Sequence, residues 1–185
     1  MTTAKHNPPI KTLSSKVVYE NKWMRVREDI IARESRAQGL YSVVEKPHFA
    51  IILPVQDGQV YMVEQYRYPV AQHQLEFPQG TWDENPDVDP AELAAGELKE
   101  ETGLLAKKWT YVGFQYLAYG MSNQGYHIYL ASDFEHGEQQ LDAEEEGLQV
   151  HCLPVTELVE KILSGEIKDA STCNAFGLAR LKGLL

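Results

Sequence analysis

The sequence predicts an α+β fold on a mixed β-sheet, and three observations carry that prediction. Segments of alternating apolar and polar residues fill the first half of the chain. Residues 49–55 form a continuous apolar run, as expected of a strand buried on both faces. One helix with complete end signals then interrupts the strands, which resume before two closing helices. With 185 residues, 43% of them apolar, the chain can build one sizeable core and a small appendage.

The elements follow in order. After a polar tail over residues 1–10, which lacks the apolar stretch of a secretion signal, residues 16–19, 23–33 and 40–45 read as strands separated by Glu20-Asn21 and Gln38-Gly39. Pro47 ends this group. Asp57-Gly58 marks a hairpin between residues 49–55 and 59–66. A loop rich in Pro and Gln leads to a short strand at 75–77. Asp89 can cap the next helix, Pro90 suits its first position and Glu92 completes a capping-box pattern. Residues 91–102 are mostly good helix formers, and Gly103 can end the helix in the left-handed conformation. Strands are expected at 109–116, 126–131 and 148–153, and helices at 156–163 and 171–182. No internal repeat is present.

There are 17 basic and 27 acidic residues, a formal charge of −10. An acid excess argues against nucleic-acid and anionic-membrane partners, and no window holds the roughly 18 consecutive apolar residues of a transmembrane helix. Cys152 and Cys173 are too few for a disulfide framework, and Cys152 reads as a buried reduced thiol. A cytoplasmic protein is expected. The charge is unevenly spread: residues 76–101 hold nine acids and one base, and residues 133–146 hold seven acids and no Lys or Arg. Elsewhere bases outnumber acids by five.

In the first stretch Glu97, Glu100 and Glu101 fall at i, i+3 and i+4, one face of the helix. Like charges so spaced repel by roughly 0.2–0.5 kcal/mol per pair. A divalent cation such as Mg²⁺ or Mn²⁺ would relieve that repulsion, and a solvated acidic face would tolerate it; spacing alone leaves both open.

The surrounding residues add a resemblance. Glu76-Phe77-Pro78-Gln79-Gly80, a loop, and then Glu97-Leu98-Lys99-Glu100-Glu101-Thr102-Gly103-Leu104 resemble the signature of the Nudix hydrolases, G-x5-E-x7-R-E-U-x-E-E-x-G-U, where U is bulky and aliphatic. The second half matches at each specified position from Glu97 to Leu104. The resemblance implies an α/β/α sandwich with a mixed sheet, and a loop–helix–loop that binds Mg²⁺ and hydrolyses a diphosphate joined to a second moiety. Three departures stand out. The pattern's arginine is Gly96, its preceding glutamate falls at Val88, and the spacing from Gly80 is two residues longer. A helical glycine costs about 1 kcal/mol against alanine, and the missing arginine would sit at i−4 from Glu100.

The flanks, Glu64-Gln65-Tyr66-Arg67-Tyr68-Pro69 and Glu144-Glu145-Glu146-Gly147-Leu148-Gln149-Val150 among them, resemble the ADP-ribose pyrophosphatase branch. That branch implies a homodimer in which residues 1–46, a tail and small N-terminal β subdomain, support a hydrolase domain of residues 47–185. It implies Glu97, Glu100, Glu101 and the Gln79 carbonyl as metal ligands. Glu146, then Glu144, would be the catalytic base on a mobile loop, with Glu100 also counted as catalytic. Arg67, Glu76, Gly80, Met121 and Ser122 become candidates for substrate contact, as do Trp23 and Tyr41 (with Trp82) as stacking surfaces for a base. Their plain alternatives are a strand-end arginine and core or interface aromatics. His73, His127 and His151 lack ligand spacing. The function implied is Mg²⁺-dependent hydrolysis of a nucleoside diphosphate sugar, ADP-ribose to AMP and ribose 5-phosphate. The alternatives are another substrate such as GDP-mannose, or a nucleotide-binding module that no longer cleaves.

Overall fold

The alternating residues at the start of the chain pair as three antiparallel strands in the computed structural model: β1 (Ile10–Glu20), β2 (Arg25–Arg33) and β3 (Arg36–Glu45). The structure describes residues 9–34, 36–82, 85 and 87–185, without the side chains of 36 and 37; the expected tail before residue 9 and the acids Asp83 and Glu84 lie outside the described residues. The chain divides into two units, the described residues up to Pro47 with Ala118–Gln124, and His48–Leu117 with Gly125–Leu185. In the first unit β1 starts six residues before its expected position, because β2 supplies hydrogen-bonding partners back to Ile10. Ala118–Gln124 lies along β3, where Val44 N–H donates to Met121 O (2.8 Å) and Asn123 N–H to Val44 O (3.3 Å).

In the second unit β4 (Phe49–Gln56) and β5 (Gln59–Arg67) form the Asp57-Gly58 hairpin. They are followed by β6 (Gln72–Glu76), the two-residue β7 (Gln79–Gly80) and α1 (Pro90–Thr102). Then come β8 (Leu104–Tyr116), β9 (Gly125–His136), β10 (Gln149–Pro154), α2 (Val155–Ser164) and α3 (Ala170–Leu181). The sheet runs β10-β5-β4-β9-β8, with β6 on β5 and β7 on β4. The β4–β9 pair is parallel and the other pairs antiparallel, so the sheet is mixed. β8 and β9 extend beyond their expected ends because they pair with each other, Leu104 opposite His136, and cross-strand charges such as Lys107–Glu135 (2.6 Å) occupy the polar ends.

Side chains alternate across β4, and each face meets its own core. Ala50 and Ile52 pack with Leu93, Ala94 and Leu98 of α1. Phe49, Ile51 and Leu53 pack with Leu158 of α2 and Ala175, Phe176 and Ala179 of α3. The result is the expected α/β/α sandwich. β10 is an edge strand that turns Leu153 inward, so Cys152 points the other way and is exposed, correcting its expected burial. Among the described residues no helix is long and apolar enough to cross a membrane.

Helix α1 ends as its sequence predicts. Asp89 accepts from Ala91 N–H (2.8 Å), one position earlier than a capping box uses. Gly103 takes φ 72°, and its N–H donates to Lys99 O (2.8 Å). A Cβ at Gly103 would lie 2.7 Å from Gly137 O, whereas Gly165, with φ 75°, faces open space. Left-handed backbone costs a side-chain-bearing residue about 1–2 kcal/mol. Gly165→Ala should therefore lower stability by about that amount, and Gly103→Ala by more, as read from urea midpoints with unchanged slopes.

Candidate active site

The strand-to-helix segment that begins at β7 brings three acids together. Glu97 and Glu101 lie one helical turn apart on α1 and are 4% and 1% exposed, while Glu100 is half-buried beside them. Gly80 makes this burial possible: a Cβ there would stand 2.3 Å from Glu97 Oε2. The neighbouring Gln79 N–H donates to Glu101 Oε2 (3.0 Å). Burial, and then the charges of Glu100, Glu145 and Asp142, push the Glu97 carboxyl up to about 8. Burial first, and then Glu97, hold Glu101 well above the ordinary carboxylate range.

A fourth acid, Glu145, comes from the loop after β9. Its carboxylate, with those of Glu97 and Glu101, offers oxygens all within 4.8 Å of one another, the only such ligand cluster among the described residues. The loop after β9 is tied to the end of α1 through carbonyls that the helix leaves unpaired. Gly137 N–H donates to Gly103 O (2.7 Å), Gln139 Nε2–H to Glu101 O (2.5 Å) and Gln140 N–H to Glu100 O (3.0 Å). Asp142 N–H then donates to Glu145 Oε2 (3.0 Å), and Glu145 N–H to Asp142 O (2.9 Å). Burial raises the Glu145 carboxyl, and the Asp142 N–H opposes that shift. Glu144 and Glu146, the expected bases, are exposed and outside the cluster. The Asp142-x-x-Glu145 spacing, a capping-box pattern, was the signal that could have singled out Glu145.

The other candidates fall into two sets. Glu76 is 3% exposed, pairs with Arg67 and accepts from Gln65 Nε2–H (3.0 Å), so it holds the half-exposed Arg67 in place. The Gln79 side chain bonds Asp169 and Ser171 at the start of α3 (3.2 and 2.9 Å). Trp82 lies on Gly96 and donates its indole N–H to Glu100. Trp23, Tyr41, Met121 and Ser122 all belong to the first unit. There Lys22 Nζ sits over the exposed Trp23 ring (4.2 Å), and the Tyr41 hydroxyl donates to Gly120 O (2.8 Å). His73 and His151 flank Glu64, and His127 faces Tyr111, all outside the acidic cluster.

Comparison with known proteins accords with this geometry. Residues 45–172 match the NUDIX domain. The chain belongs to the Nudix hydrolases. Residues 10–44 match the nucleoside diphosphate sugar hydrolase N-terminal domain. The chain is 27% identical over 177 residues to an ADP-ribose pyrophosphatase of Bacillus subtilis, covering 95% of each protein. It is 30% identical over 161 residues to an ADP-ribose pyrophosphatase of Mycobacterium tuberculosis, covering 85% of this chain and 76% of that one. A solved ADP compounds hydrolase shares its fold at a TM-score of 0.83, with 22% identity and 98% of both chains covered.

Nudix enzymes generally use divalent metals, and the acids here fit one. Glu97, Glu101 and Glu145 converge in a partly dehydrated site, and oxygen-only donors suit a hard cation. Glu97 and Glu101 bind protons more tightly folded than unfolded, where the ordinary value is 4.5. In chelator-treated Nudix protein the contribution of Glu97 to stability is complete below about pH 4.5 and is lost as pH rises through about 8, and Glu101 acts in the same direction. The melting temperature should fall across that window, and Glu97→Gln should flatten the fall. A divalent cation should raise it more at pH 8 than at pH 6, where protons compete for the same oxygens.

Proposed function

We propose that this Nudix hydrolase cleaves the diphosphate of a nucleoside diphosphate sugar in a Mg²⁺-dependent reaction, with ADP-ribose hydrolysed to AMP and ribose 5-phosphate. The observation that carries the reading is the Glu97–Glu101–Glu145 cluster, with two acids on the helix whose residues follow the Nudix pattern and the third on the loop after β9. The choice of substrate is supported by the family of residues 10–44 and by the names of the two pyrophosphatase relatives.

Glu97, Glu101 and Glu145 would hold the cation, with Glu100 and the Gln79 carbonyl completing the set; Mn²⁺ would serve as well as Mg²⁺. Bound there, the cation supplies the positive charge that lets a diphosphate approach carboxylates and that stabilises charge on the departing phosphate. Arg67, held by Glu76, donates to diphosphate oxygens. A loop glutamate takes the proton of the attacking water as its oxygen bonds to one phosphorus and the bond to the other phosphate breaks. Glu145 is the loop acid that reaches the cluster, which favours it over Glu146 and Glu144 for this role.

The same reading makes residues 1–46 the dimer-forming subdomain and residues 47–185 the catalytic domain of a cytoplasmic homodimer. Two features support it: β1 is exposed along its whole length with Leu13, Val17, Val18 and Tyr19 in view, and both thiols are free.

A nucleotide-sugar panel with Mg²⁺ and product identification tests the reaction. Release of AMP and ribose 5-phosphate, faster than the products of GDP-mannose, is expected; ADP-ribose bound but left intact would overturn the proposal. Glu145→Gln should lower kcat by about 10²–10⁴, while Glu144→Gln and Glu146→Gln stay within severalfold of the parent. Light scattering should give about twice the 21.0 kDa of one chain, and a monomer at micromolar concentration would remove the dimer.

A further inference from the structure

Two polar residues of the Nudix pattern are absent here, and the structure shows what fills their space. Gly96 lies in the middle of α1, where glycine is a poor helix former. It faces Trp82: a Cβ on residue 96 would fall 2.1 Å from Trp82 Cζ2 and 2.8 Å from Cη2. Only a residue without a side chain lets the indole lie so close to the helix. One turn further on, the indole Nε1–H donates to Glu100 Oε2 (3.4 Å). Trp82 and Val88, the second departure, both pack on the core cluster of Ala50, Ile52, Leu93 and Leu98. A stacked indole, fixed by that apolar contact, thus points its one donor at a carboxylate on the acidic face.

We infer that Trp82, seated on Gly96, is the positioning residue for Glu100: a neutral N–H donor does here what the pattern's arginine would do from the helix itself. The indole orients Glu100 without adding positive charge to the face, so no guanidinium competes with the cation for the carboxylate. The glycine is the other half of the device, and the two positions work as a pair. The inference rests on the reading that this face holds a divalent cation.

Mn²⁺ binding followed by electron paramagnetic resonance, with kcat and KM measured alongside, tests the pair. Trp82→Phe keeps the ring and the packing and removes the donor. It should weaken Mn²⁺ binding about five- to tenfold, in line with loss of one long hydrogen bond to a charged group, and lower kcat with KM little changed. Gly96→Ala, a change that strengthens an ordinary helix, should weaken Mn²⁺ binding at least as much by displacing the indole. In a Trp82→Ala background the same Gly96→Ala should add no further loss. Unchanged Mn²⁺ affinity in Trp82→Phe, or fully additive losses in the cycle, would overturn the inference. A parent protein whose Mn²⁺ binding is unaffected by Glu101→Gln would overturn the cation reading and this inference together. Binding that is lost in Glu101→Gln but kept in Trp82→Phe would remove the positioning role alone.

Discussion

Glu97 and Glu101 share one face of a helix and are withdrawn from water together, a placement that much of the second unit serves. Removing an ionised carboxylate from water costs several kcal/mol, and a second like charge beside it adds to that cost. Part of the relief comes from backbone. Gln79 donates its N–H to Glu101, and Gly80 leaves room for Glu97. Both residues are held by β7 against β4, the strand buried on both faces. The most apolar strand in the molecule is therefore the support for its most costly charges.

The end of α1 links the two acidic stretches. A helix leaves its last carbonyls without partners, and here the segment after β9 satisfies those of Glu100, Glu101 and Gly103. The same hydrogen bonds that cap the helix fix where the loop starts, and the turn at Asp142 then returns Glu145 to the helix face. The same bonds thus serve helix capping and site geometry, and they bring acids some fifty residues apart to one place.

The first unit follows a different economy of contacts. Its three strands pair well with one another, yet β1 buries neither face and keeps several apolar side chains in water. Three strands need a covered apolar face for independent stability. The unit draws its order from cross-strand hydrogen bonds, the Arg27 contacts with Asp29 and Glu45, and the Ala118–Gln124 segment beside β3.

The sequence by itself determined what depends on neighbours along the chain. Helix α1 was legible from Asp89, Pro90 and Gly103, its acidic face from the i, i+3, i+4 spacing, the hairpin from Asp57-Gly58, and β4 from its unbroken apolar run. Tertiary structure decided what depends on contacts between distant segments. The two residues of β7 carry no periodicity, and they form a strand only because β4 has a free edge beside them. Among three consecutive loop glutamates the sequence marks Glu145 only through its spacing from Asp142, and the bonds from residues 137–140 to the end of α1 are what bring that turn to the helix face. Glu76 faces Arg67 because β6 pairs with β5, and Gly96 looks like a flaw in a helix until Trp82 is seen lying on it. Local signals are written in turn chemistry and side-chain spacing, which act over a few residues. Which charge is buried, and what holds it, is settled by backbone groups that lie far apart in the chain and meet only when the sheet and helix have packed.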